Sequence, residues 1–401
     1  MKQKISLLFL YYLRFFAKLQ LAKIKLLNPK LKIIGITGSA GKTSTLLAAE
    51  AALKPNFRVK TNYGGNSESG IPLDILGLKT PDFTLLSWLK VAILTPFTIL
   101  TNWKTYDIYL LEMGIDSAKS PKNMSYLLSI VKPDIGVFLN VTPVHLENFS
   151  SLEEIASEKA KLPNCTETAI INKSDPLVKK YTKNKNIISI KATKVLIPNY
   201  LLPNIYDISL GATIAIAKTM NLDSSTAINN LKNNFHLPPS RSSIFEGIFS
   251  STIIDSTYNS SPLATTEMLN FLASYPSPRI AVLGDMRELG GASKISHQNL
   301  YKTALNTAST IISVGPESSR YFGIKAKKFL YWWQAAQYLK KNLPQNATIL
   351  VKGSQNTIFL EELVKELIST NQLKYYLSNN LICRQSPYWL NIKNKFRQDN
   401  Q

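Results

Sequence analysis

The sequence predicts an α/β protein with two mainly parallel sheets, and three observations carry this prediction. An apolar run at residues 33–36 ends in a glycine-containing loop, and a helix-favouring segment follows at residues 46–53. Short runs rich in β-branched residues then alternate with helical stretches, and the same rhythm resumes in the last third of the chain. The predicted architecture is a P-loop-type central domain with a mainly parallel sheet, followed by a Rossmann-like α/β C-terminal domain.

The strands of both domains are predicted from these apolar runs. In the first domain they continue from the run at 33–36 with residues 107–113, 134–140, 168–172 and 186–190. In the second domain they occupy residues 252–255, 279–284, 310–315 and 348–353. The prolines of HLPPSR mark a boundary between residues 238 and 241, so we predict domains at 31–240 and 241–401. The second set lacks a G-x-G-x-x-G fingerprint, so no dinucleotide site is predicted there.

Two apolar segments accompany the first domain. Residues 1–30 are predicted to form a basic apolar helix, whose uncharged run is too short to span a bilayer. This helix either lies on a membrane surface or packs on the first domain, and both alternatives stay open. The insert at residues 80–104 is predicted to be a helical hairpin, because Pro96 interrupts it. It too either contacts lipid or is buried.

Composition narrows the class of protein. The 401 residues are 45% apolar and 18% charged, which indicates globular domains. The net charge of +21 suits nucleic acid, a membrane surface or anionic substrates. The lysines are spread along the chain and no nucleic-acid motif is present, so we predict no nucleic-acid partner. Cys165 and Cys383 stand far apart without metal-ligand spacing, which indicates a reducing cytoplasm.

The loop after the first strand has the form T-G-x-x-G-K-T. Its glycines allow the backbone N–H groups to turn toward an anion, and the following helix presents its positive end there. Lys42 is predicted to reach the β- and γ-phosphates of ATP, and the Thr43 hydroxyl to hold Mg²⁺. The general P-loop pattern asks for glycine where Ile36 stands. The predicted nucleotide-binding residues are Gly38, Ser39, Ala40, Gly41, Lys42, Thr43 and Ser44.

Other polar residues stand near the predicted strand ends, where open α/β sheets bind ligands. Glu112 closes a strand, and a carboxylate there suits Mg²⁺, although a solvated acid is the alternative. His145 follows the strand that ends at Asn140, and a lone histidine is often structural. Lys159 lies in a predicted helix and by itself would be an exposed lysine.

Seven sequence blocks together resemble the Mur ligases, above all the MurF type. They occur in the order of that family between about residues 31 and 360 and read GITGSAGKTST, LLEMG, NVTPVHLENFSSLEEIASEKAKL, INKSDP, IIDSTYNSSP, AVLGDMRELG and LVKGSQ. In this family T-G-x-x-G-K-T is the usual loop, so Ile36 is expected.

The resemblance implies roles for individual residues. Thr43 and Glu112 would hold a first Mg²⁺, and His145 would help to place a second. Lys159 would be carbamylated, which turns a cation into an anionic oxygen ligand. In the second domain the resemblance implies adenine-side contacts by Tyr258 and Asn259, a phosphate contact by Arg241, and positions near the cleft for Asp255, Asp285 and His297.

The implied activity is ATP-dependent ligation of a carboxylate to an amine through an acyl phosphate. A MurF-type enzyme would add D-Ala-D-Ala to a UDP-MurNAc-peptide in peptidoglycan precursor synthesis. It would work as a monomer on small-molecule substrates in the cytoplasm, with peripheral contact at the inner membrane face through residues 1–30 as a further prediction. The alternatives are another amide ligase of the superfamily, acting on folate, a poly-amino acid or a lipid-linked acceptor, and a non-catalytic membrane-associated ATP-binding module.

Four departures from the family pattern concern what is ligated. Only about thirty residues precede the first strand, where MurF-type ligases carry a UDP-gripping domain. The loop NYGGNSESG replaces a pair of asparagines before an acidic residue, and DSAKSPKNM replaces a short turn after Glu112. Ser256 stands where an aspartate is usual, and Gln355 where an arginine is usual.

Overall fold

Apolar side chains fill almost every position of the central strands, as expected where helices cover both faces of a parallel sheet. The structure is a computed structural model. It describes residues 7–78, 85–143, 147–196, 202–354 and 358–400. The strands are β1 (Lys32–Thr37), β2 (Val59–Thr61), β3 (Ile108–Glu112), β4 (Ile135–Phe138), β5 (Thr168–Ile171), β6 (Ile187–Ser189), β7 (Ser243–Glu246), β8 (Thr252–Ser256), β9 (Arg279–Gly284), β10 (Thr310–Val314), β11 (Ala326–Phe329) and β12 (Thr348–Lys352).

The α-helices alternate with these strands along the chain. They are α1 (Leu7–Leu27), α2 (Lys42–Leu53), α3 (Gly70–Leu76), α4 (Leu85–Thr101), α5 (Met124–Ile130), α6 (Leu152–Asn164), α7 (Pro176–Tyr181), α8 (Ile205–Thr219), α9 (Ser224–Asn234), α10 (Pro262–Ala273), α11 (Ser293–Thr307), α12 (Pro316–Tyr321), α13 (Trp332–Asn342), α14 (Leu360–Leu367), α15 (Thr370–Ser378) and α16 (Pro387–Gln398).

The chain divides into two compact units, each built on one six-stranded sheet. The first unit comprises Met1–Leu201 and Ile205–Phe235, and the second comprises Leu202–Asn204 and His236–Gln401. The first sheet has the order β2-β3-β1-β4-β5-β6 and is parallel throughout. The second has the order β11-β10-β9-β12-β8-β7, in which only β7 runs antiparallel to its neighbour. The α/β prediction with mainly parallel sheets is confirmed.

Alternate residues of each strand enter different cores. On one face of the first sheet, Ile33 and Tyr109 pack with helices α1, α3, α5 and α6. On the other face Ile34 and Leu110 are equally buried, and α2, α8 and α9 pack together on that side. The second sheet repeats this arrangement, with α13 and α14 in one core and α10 and α11 in the other.

The predicted hairpin at residues 80–104 is wrong, because α4 is one helix with Pro96 inside it. Proline has no N–H group, so the carbonyl four residues earlier, that of Ala92, loses its helical donor. The Tyr12 hydroxyl of α1 donates to that carbonyl at 2.7 Å. A side chain from a distant helix therefore supplies the hydrogen bond that proline removes, and the helix continues through it.

Three short edge strands were not predicted from the sequence. They are β2, β7 and β11, of three or four residues each, and β11 reads AKKF. Strands this short carry too little alternation to be distinguished from loops, and their pairing is decided by the neighbouring strand. Among the described residues, no helix is both long and apolar enough to cross a membrane.

The bond between Tyr12 and Ala92 gives a test of this fold. We expect Tyr12→Phe to lower the free energy of unfolding by about 1–2 kcal/mol, because the Ala92 carbonyl is left without a donor. In a Pro96→Ala background the same change should cost much less, because residue 96 then supplies an N–H group. Urea unfolding of the four proteins of this cycle measures the difference. Equal costs in both backgrounds would contradict the explanation.

Candidate functional site

The order of strands in the first sheet fixes where a ligand can bind. From β1 the chain moves to β2 and β3 on one side, and later to β4, β5 and β6 on the other. The carboxyl end of β1 is therefore a topological switch point, where neighbouring loops part and leave a crevice. The loop of residues 38–41 lies at this point, with the ends of β3 and β4 on either side.

This loop is held in one shape by its own geometry and by Asn140. Gly41 has φ 81°, a left-handed conformation that favours glycine, and it immediately precedes α2. The Asn140 side chain bonds to both the N–H group (2.8 Å) and the carbonyl (3.1 Å) of Ala40. The Ser39 N–H group donates to the Asn140 carbonyl at 3.0 Å. The end of β4 thus fixes the loop at the start of a helix, as an anion site requires.

Glu112, at the end of β3, is held on three sides. Its carboxylate accepts hydrogen bonds from the Thr43 hydroxyl (2.8 Å) and from the Asn66 side chain (2.9 Å). Asn62 bonds to its backbone through both ends of the amide, at 2.7 and 2.9 Å. The predicted metal residues Thr43 and Glu112 are therefore in contact, and their oxygens are of the kind that Mg²⁺ prefers.

Two lysines meet at one carbonyl of the loop. Lys42 Nζ donates to the Gly38 carbonyl at 2.9 Å, and Lys159 Nζ, from α6, lies 3.2 Å from the same oxygen. Lys159 is 2% exposed, so it is not the solvated lysine of the simplest interpretation. Burial, and then the nearby charge of Lys42, hold the pKa of the Lys159 amine well below its usual value.

Two further residues of the first unit were predicted as site residues, Ser44 and His145. Ser44 lies in the first turn of α2 and is 8% exposed. His145 lies outside the described residues. Across the part of the chain that is described, no group of three or more His, Cys, Asp or Glu side chains could hold a metal ion.

In the second unit, two arginines lie near the ring of Tyr258. The Arg241 guanidinium stacks on its ring at 4.2 Å, and that of Arg384 is 6.0 Å from the ring centre. Arg384 also donates to the backbone carbonyls of Thr257 (2.8 Å) and Tyr258 (3.1 Å). Its other bonds go to both oxygens of Glu361, a side chain with no exposed surface. A buried ion pair therefore fixes the segment after β8.

Lys352, at the end of β12, holds the rest of that segment. Its Nζ donates to the Asn259 carbonyl at 2.8 Å and to the Ser256 hydroxyl at 3.2 Å. Burial, with Arg241 nearby, lowers the pKa of Lys352 to about 7. Burial raises the pKa of Asp255 to about 6, although Ser240 and Thr257 donate hydrogen bonds to its carboxylate.

Asp285 and His297 form hydrogen bonds to backbone groups of the second unit. The Asp285 carboxylate accepts the N–H groups of Glu317 and Ser318 at the start of α12. His297 Nε2 accepts the Met286 N–H at 3.0 Å, and its Nδ1 lies 2.8 Å from the Ser293 carbonyl. Both side chains are almost completely buried, so the structure accounts for them through backbone support.

Comparison with known proteins shows what this chain is similar to. Residues 36–196 match the Mur ligase middle domain. The UDP-N-acetylmuramoyl-tripeptide–D-alanyl-D-alanine ligase of Buchnera aphidicola from Acyrthosiphon pisum is 28% identical over 387 residues, which cover 86% of this chain and 78% of that one. Over most of its length the chain is therefore similar to MurF-type Mur ligases, and residues 36–196 match the middle domain of that family.

Solved structures share the fold of this chain. MurF from Acinetobacter baumannii superposes with a TM-score of 0.73 at 20% identity, over 88% of this chain and 80% of that one. MurF from Thermotoga maritima, in complex with ADP, gives 0.72 at 23% identity, over 91% and 84%. Both comparisons extend over most of each chain.

Several residues at these sites were not predicted from the sequence. Asn62 and Asn66 lie in the departing loop NYGGNSESG, yet both hold Glu112. Their spacing of four residues gave no motif, although two asparagines after a strand are a usable signal. Arg384 and Glu361 stand 23 residues apart, and only the fold brings them to Tyr258.

The two asparagines differ in burial, which gives a matched test. We expect Asn62→Ala to lower the free energy of unfolding of the first unit by about 2–4 kcal/mol, because buried backbone groups of Glu112 lose both partners. Asn66→Ala removes one bond to a carboxylate that keeps Thr43, so about 1 kcal/mol is expected. Urea unfolding measures both. A cost for Asn66→Ala as large as that for Asn62→Ala would contradict this ranking.

The buried ion pair of the second unit can be tested in the same way. We expect Arg384→Met to destabilise that unit by about 3 kcal/mol, because Glu361 loses one of its two cationic partners in the interior. Lys393 remains 3.0 Å from Glu361, so the unit should still fold. Arg397→Met, at an exposed position of α16, is the control and should change stability by less than about 0.5 kcal/mol. Equal losses of stability in the two variants would show that the buried ion pair contributes no more to the free energy of unfolding than an exposed arginine does.

Proposed function

We propose that this protein is an ATP-dependent carboxylate–amine ligase that adds D-Ala-D-Ala to a UDP-MurNAc-peptide in peptidoglycan precursor synthesis. The observation that carries the proposal is the meeting of Lys42 and Lys159 at the Gly38 carbonyl, beside the contact of Thr43 with Glu112. The names of relatives that align with more than four-fifths of this chain support the choice of substrates. We assign residues 31–240 as the central ATP-binding domain and 241–401 as the C-terminal domain.

The phosphates of ATP are proposed to bind the loop of residues 38–44. Its N–H groups and the positive end of α2 would face the phosphate oxygens, and the Lys42 ammonium would offset their charge. Thr43 and Glu112 would hold Mg²⁺, which supplies further neutralisation of the phosphate charge. Their oxygen atoms, already in contact, fit that ion. His145 is proposed to help hold a second Mg²⁺.

Lys159 is proposed to carry a carbamate. A neutral amine attacks CO₂, the N–C bond forms, and one proton is lost to give an anionic carbamate. Two features support this role. Burial holds the pKa of this amine well below its usual value, which favours the neutral form that reacts with CO₂. Lys42 lies on the same carbonyl, and its positive charge would favour an anionic group in place of a second cation.

In the second unit we propose that Tyr258 and Asn259 contact the adenine side of ATP and that Arg241 contacts phosphate. The support is the rigidity of the segment, which Arg384 and Lys352 hold by its backbone carbonyls. A preorganised segment binds a ligand without a further ordering cost. The stacking of Arg241 on the Tyr258 ring places a cation at the same segment.

The proposed reaction has two steps. An oxygen of the substrate carboxylate attacks the γ-phosphorus of ATP, the bond to ADP breaks, and an acyl phosphate forms. The amine then attacks the acyl carbon, and the tetrahedral intermediate expels inorganic phosphate while the amine loses a proton. Lys42 and Arg241 would stabilise charge during phosphoryl transfer. Holding acid and amine together replaces a bimolecular encounter, which is worth up to about 7–11 kcal/mol.

The proposal includes a monomeric enzyme that acts on small molecules in the cytoplasm, with residues 1–30 at the inner face of the membrane. Acceptor recognition is where the sequence departs from the family, in the loops NYGGNSESG and DSAKSPKNM. In the first of these loops, Asn62 and Asn66 hold Glu112, so the loop is tied to the proposed metal site.

Phosphate release tests the reaction and its substrates. Purified protein with Mg-ATP is offered UDP-MurNAc-tripeptide and D-Ala-D-Ala, separately and together. We expect release of phosphate only when both are present, with one ligated product formed for each phosphate. Release with another acid–amine pair would replace the proposed substrates by those of another amide ligase. ATP binding without turnover on any pair would favour a binding module.

Lys159 can be tested apart from substrate identity. We expect Lys159→Ala to lose most turnover, on the order of 10²-fold or more, while ATP binding changes little. Lys161→Ala, on the exposed side of α6, is the matched control and should keep turnover. In ¹³C-bicarbonate, wild-type protein should show a carbamate carbon resonance that Lys159→Ala lacks. Unchanged turnover in Lys159→Ala, or no such resonance in the wild type, would overturn the assignment.

A further inference from the structure

An apolar surface on the first unit has no part in the proposed ligation chemistry. More than half of the large hydrophobic side chains that are exposed in the described residues lie on α1, on α4 or just after α4. Single exposed apolar residues are ordinary, but a contiguous cluster marks an interaction site. We name this cluster the two-helix surface. Its members are Leu8, Tyr11, Phe15, Leu19 and Leu26 of α1, with Leu86, Leu89, Ile93, Phe97 and Leu100 of α4.

On each helix these residues form one stripe. They recur three or four positions apart, with one longer step on α1, so they lie along a single helical face. The opposite face of α1 buries Leu13, Ala17 and Ile24 in the core of the first unit. Helix α1 is thus fixed to the domain by one face while its other face stays apolar and exposed. Phe15 is 59% exposed and Phe97 is 56% exposed, so more than half of each of these large apolar side chains is open to solvent.

The two stripes lie side by side on the same surface. Phe9 packs edge-on against Trp88 near the start of both helices, with ring centres 5.5 Å apart. Lys23 Nζ lies 3.7 Å from the centre of the Trp103 ring near their ends, so the helices run parallel. On each helix the residues that contact the other helix lie about a quarter to a third of a turn from the stripe, and the rotation runs in opposite senses on the two parallel helices. Both stripes therefore face the same way.

Charge identifies the occupant of this surface. Segments 7–27 and 85–104 contain no Asp or Glu. Lys18 and Lys25 are exposed on the edge of α1 that faces away from α4, and Lys90 is exposed on the outer edge of α4. Apolar stripes with basic edges and no acidic residue match a bilayer surface with anionic headgroups, into which such helices bury their apolar face.

We propose that the two-helix surface docks this enzyme on the surface of an anionic lipid bilayer. The inference extends the proposed membrane contact of residues 1–30 to a preformed surface that includes α4. It does not depend on the ligation reaction, because binding to lipid is measured without ATP or substrates. The hydrogen bond from the Tyr12 hydroxyl to the Ala92 carbonyl joins α1 to α4, and it fixes the two helices relative to each other.

Cosedimentation with vesicles tests the proposal on the full chain. We expect the wild type to bind vesicles of phosphatidylglycerol and phosphatidylcholine, to bind pure phosphatidylcholine at least about tenfold more weakly, and to release as salt is raised. Failure to bind the anionic vesicles, or equal binding to both kinds, would overturn the proposal.

Paired substitutions locate the binding surface. Phe15→Glu with Leu19→Glu on α1, and Ile93→Glu with Phe97→Glu on α4, should each reduce the vesicle partition coefficient about tenfold or more. The control is Ile324→Glu with Leu330→Glu, which makes the same change of charge at exposed apolar positions of the second unit and should bind like the wild type. Circular dichroism and ATP binding confirm that each variant is folded.

Sedimentation equilibrium distinguishes lipid from a second copy of the chain. The wild type is expected to sediment as a monomer without vesicles. A dimer that the α1 and α4 variants dissociate, together with no binding to anionic vesicles, would assign the surface to self-association and overturn the proposal. Loss of vesicle binding in the second-unit control as well would show that general charge is responsible, which overturns it too.

Discussion

Two amines at one backbone carbonyl are the constraint on which the first unit depends. Lys42 and Lys159 both reach the Gly38 oxygen, and Lys159 does so from the buried side of α6. Burial, and then the nearby charge of Lys42, lower the pKa of the Lys159 amine. The lowered pKa of Lys159 follows from its burial in α6 beside the loop of residues 38–41, and the proposed carbamate chemistry depends on that packing.

Within each unit, hydrogen bonds from side chains outside the motifs fix the positions of the candidate residues. Asn140 shapes the phosphate loop, Asn62 and Asn66 hold Glu112, and Arg384 holds the backbone at Tyr258. None of these side chains was predicted as a site residue. Each bonds to backbone or carboxylate groups whose positions would otherwise vary, and catalysis by electrostatic preorganisation requires fixed positions.

The first unit combines a parallel α/β fold with an outer layer of two partly exposed apolar helices, α1 and α4. Helix α1 packs on the sheet by one face, and α4 packs beside α1, which leaves two apolar stripes exposed. A protein that exposes so contiguous an apolar surface loses solubility unless the surface has a partner. The absence of acidic residues in both segments makes a bilayer with anionic headgroups the best match.

The sequence alone determined the α/β rhythm, and it predicted the phosphate-binding loop with Lys42, Thr43 and Glu112, because each rests on a local pattern of a few neighbouring residues. The tertiary structure decided what those residues touch. The partners of Glu112 come from 46 to 69 positions away, and Lys159 reaches Gly38 across 121. The continuity of α4 through Pro96 was likewise decided by Tyr12, 80 positions from Ala92. Spacing along the chain gives no measure of such contacts, because only packing of the folded domain brings these groups together.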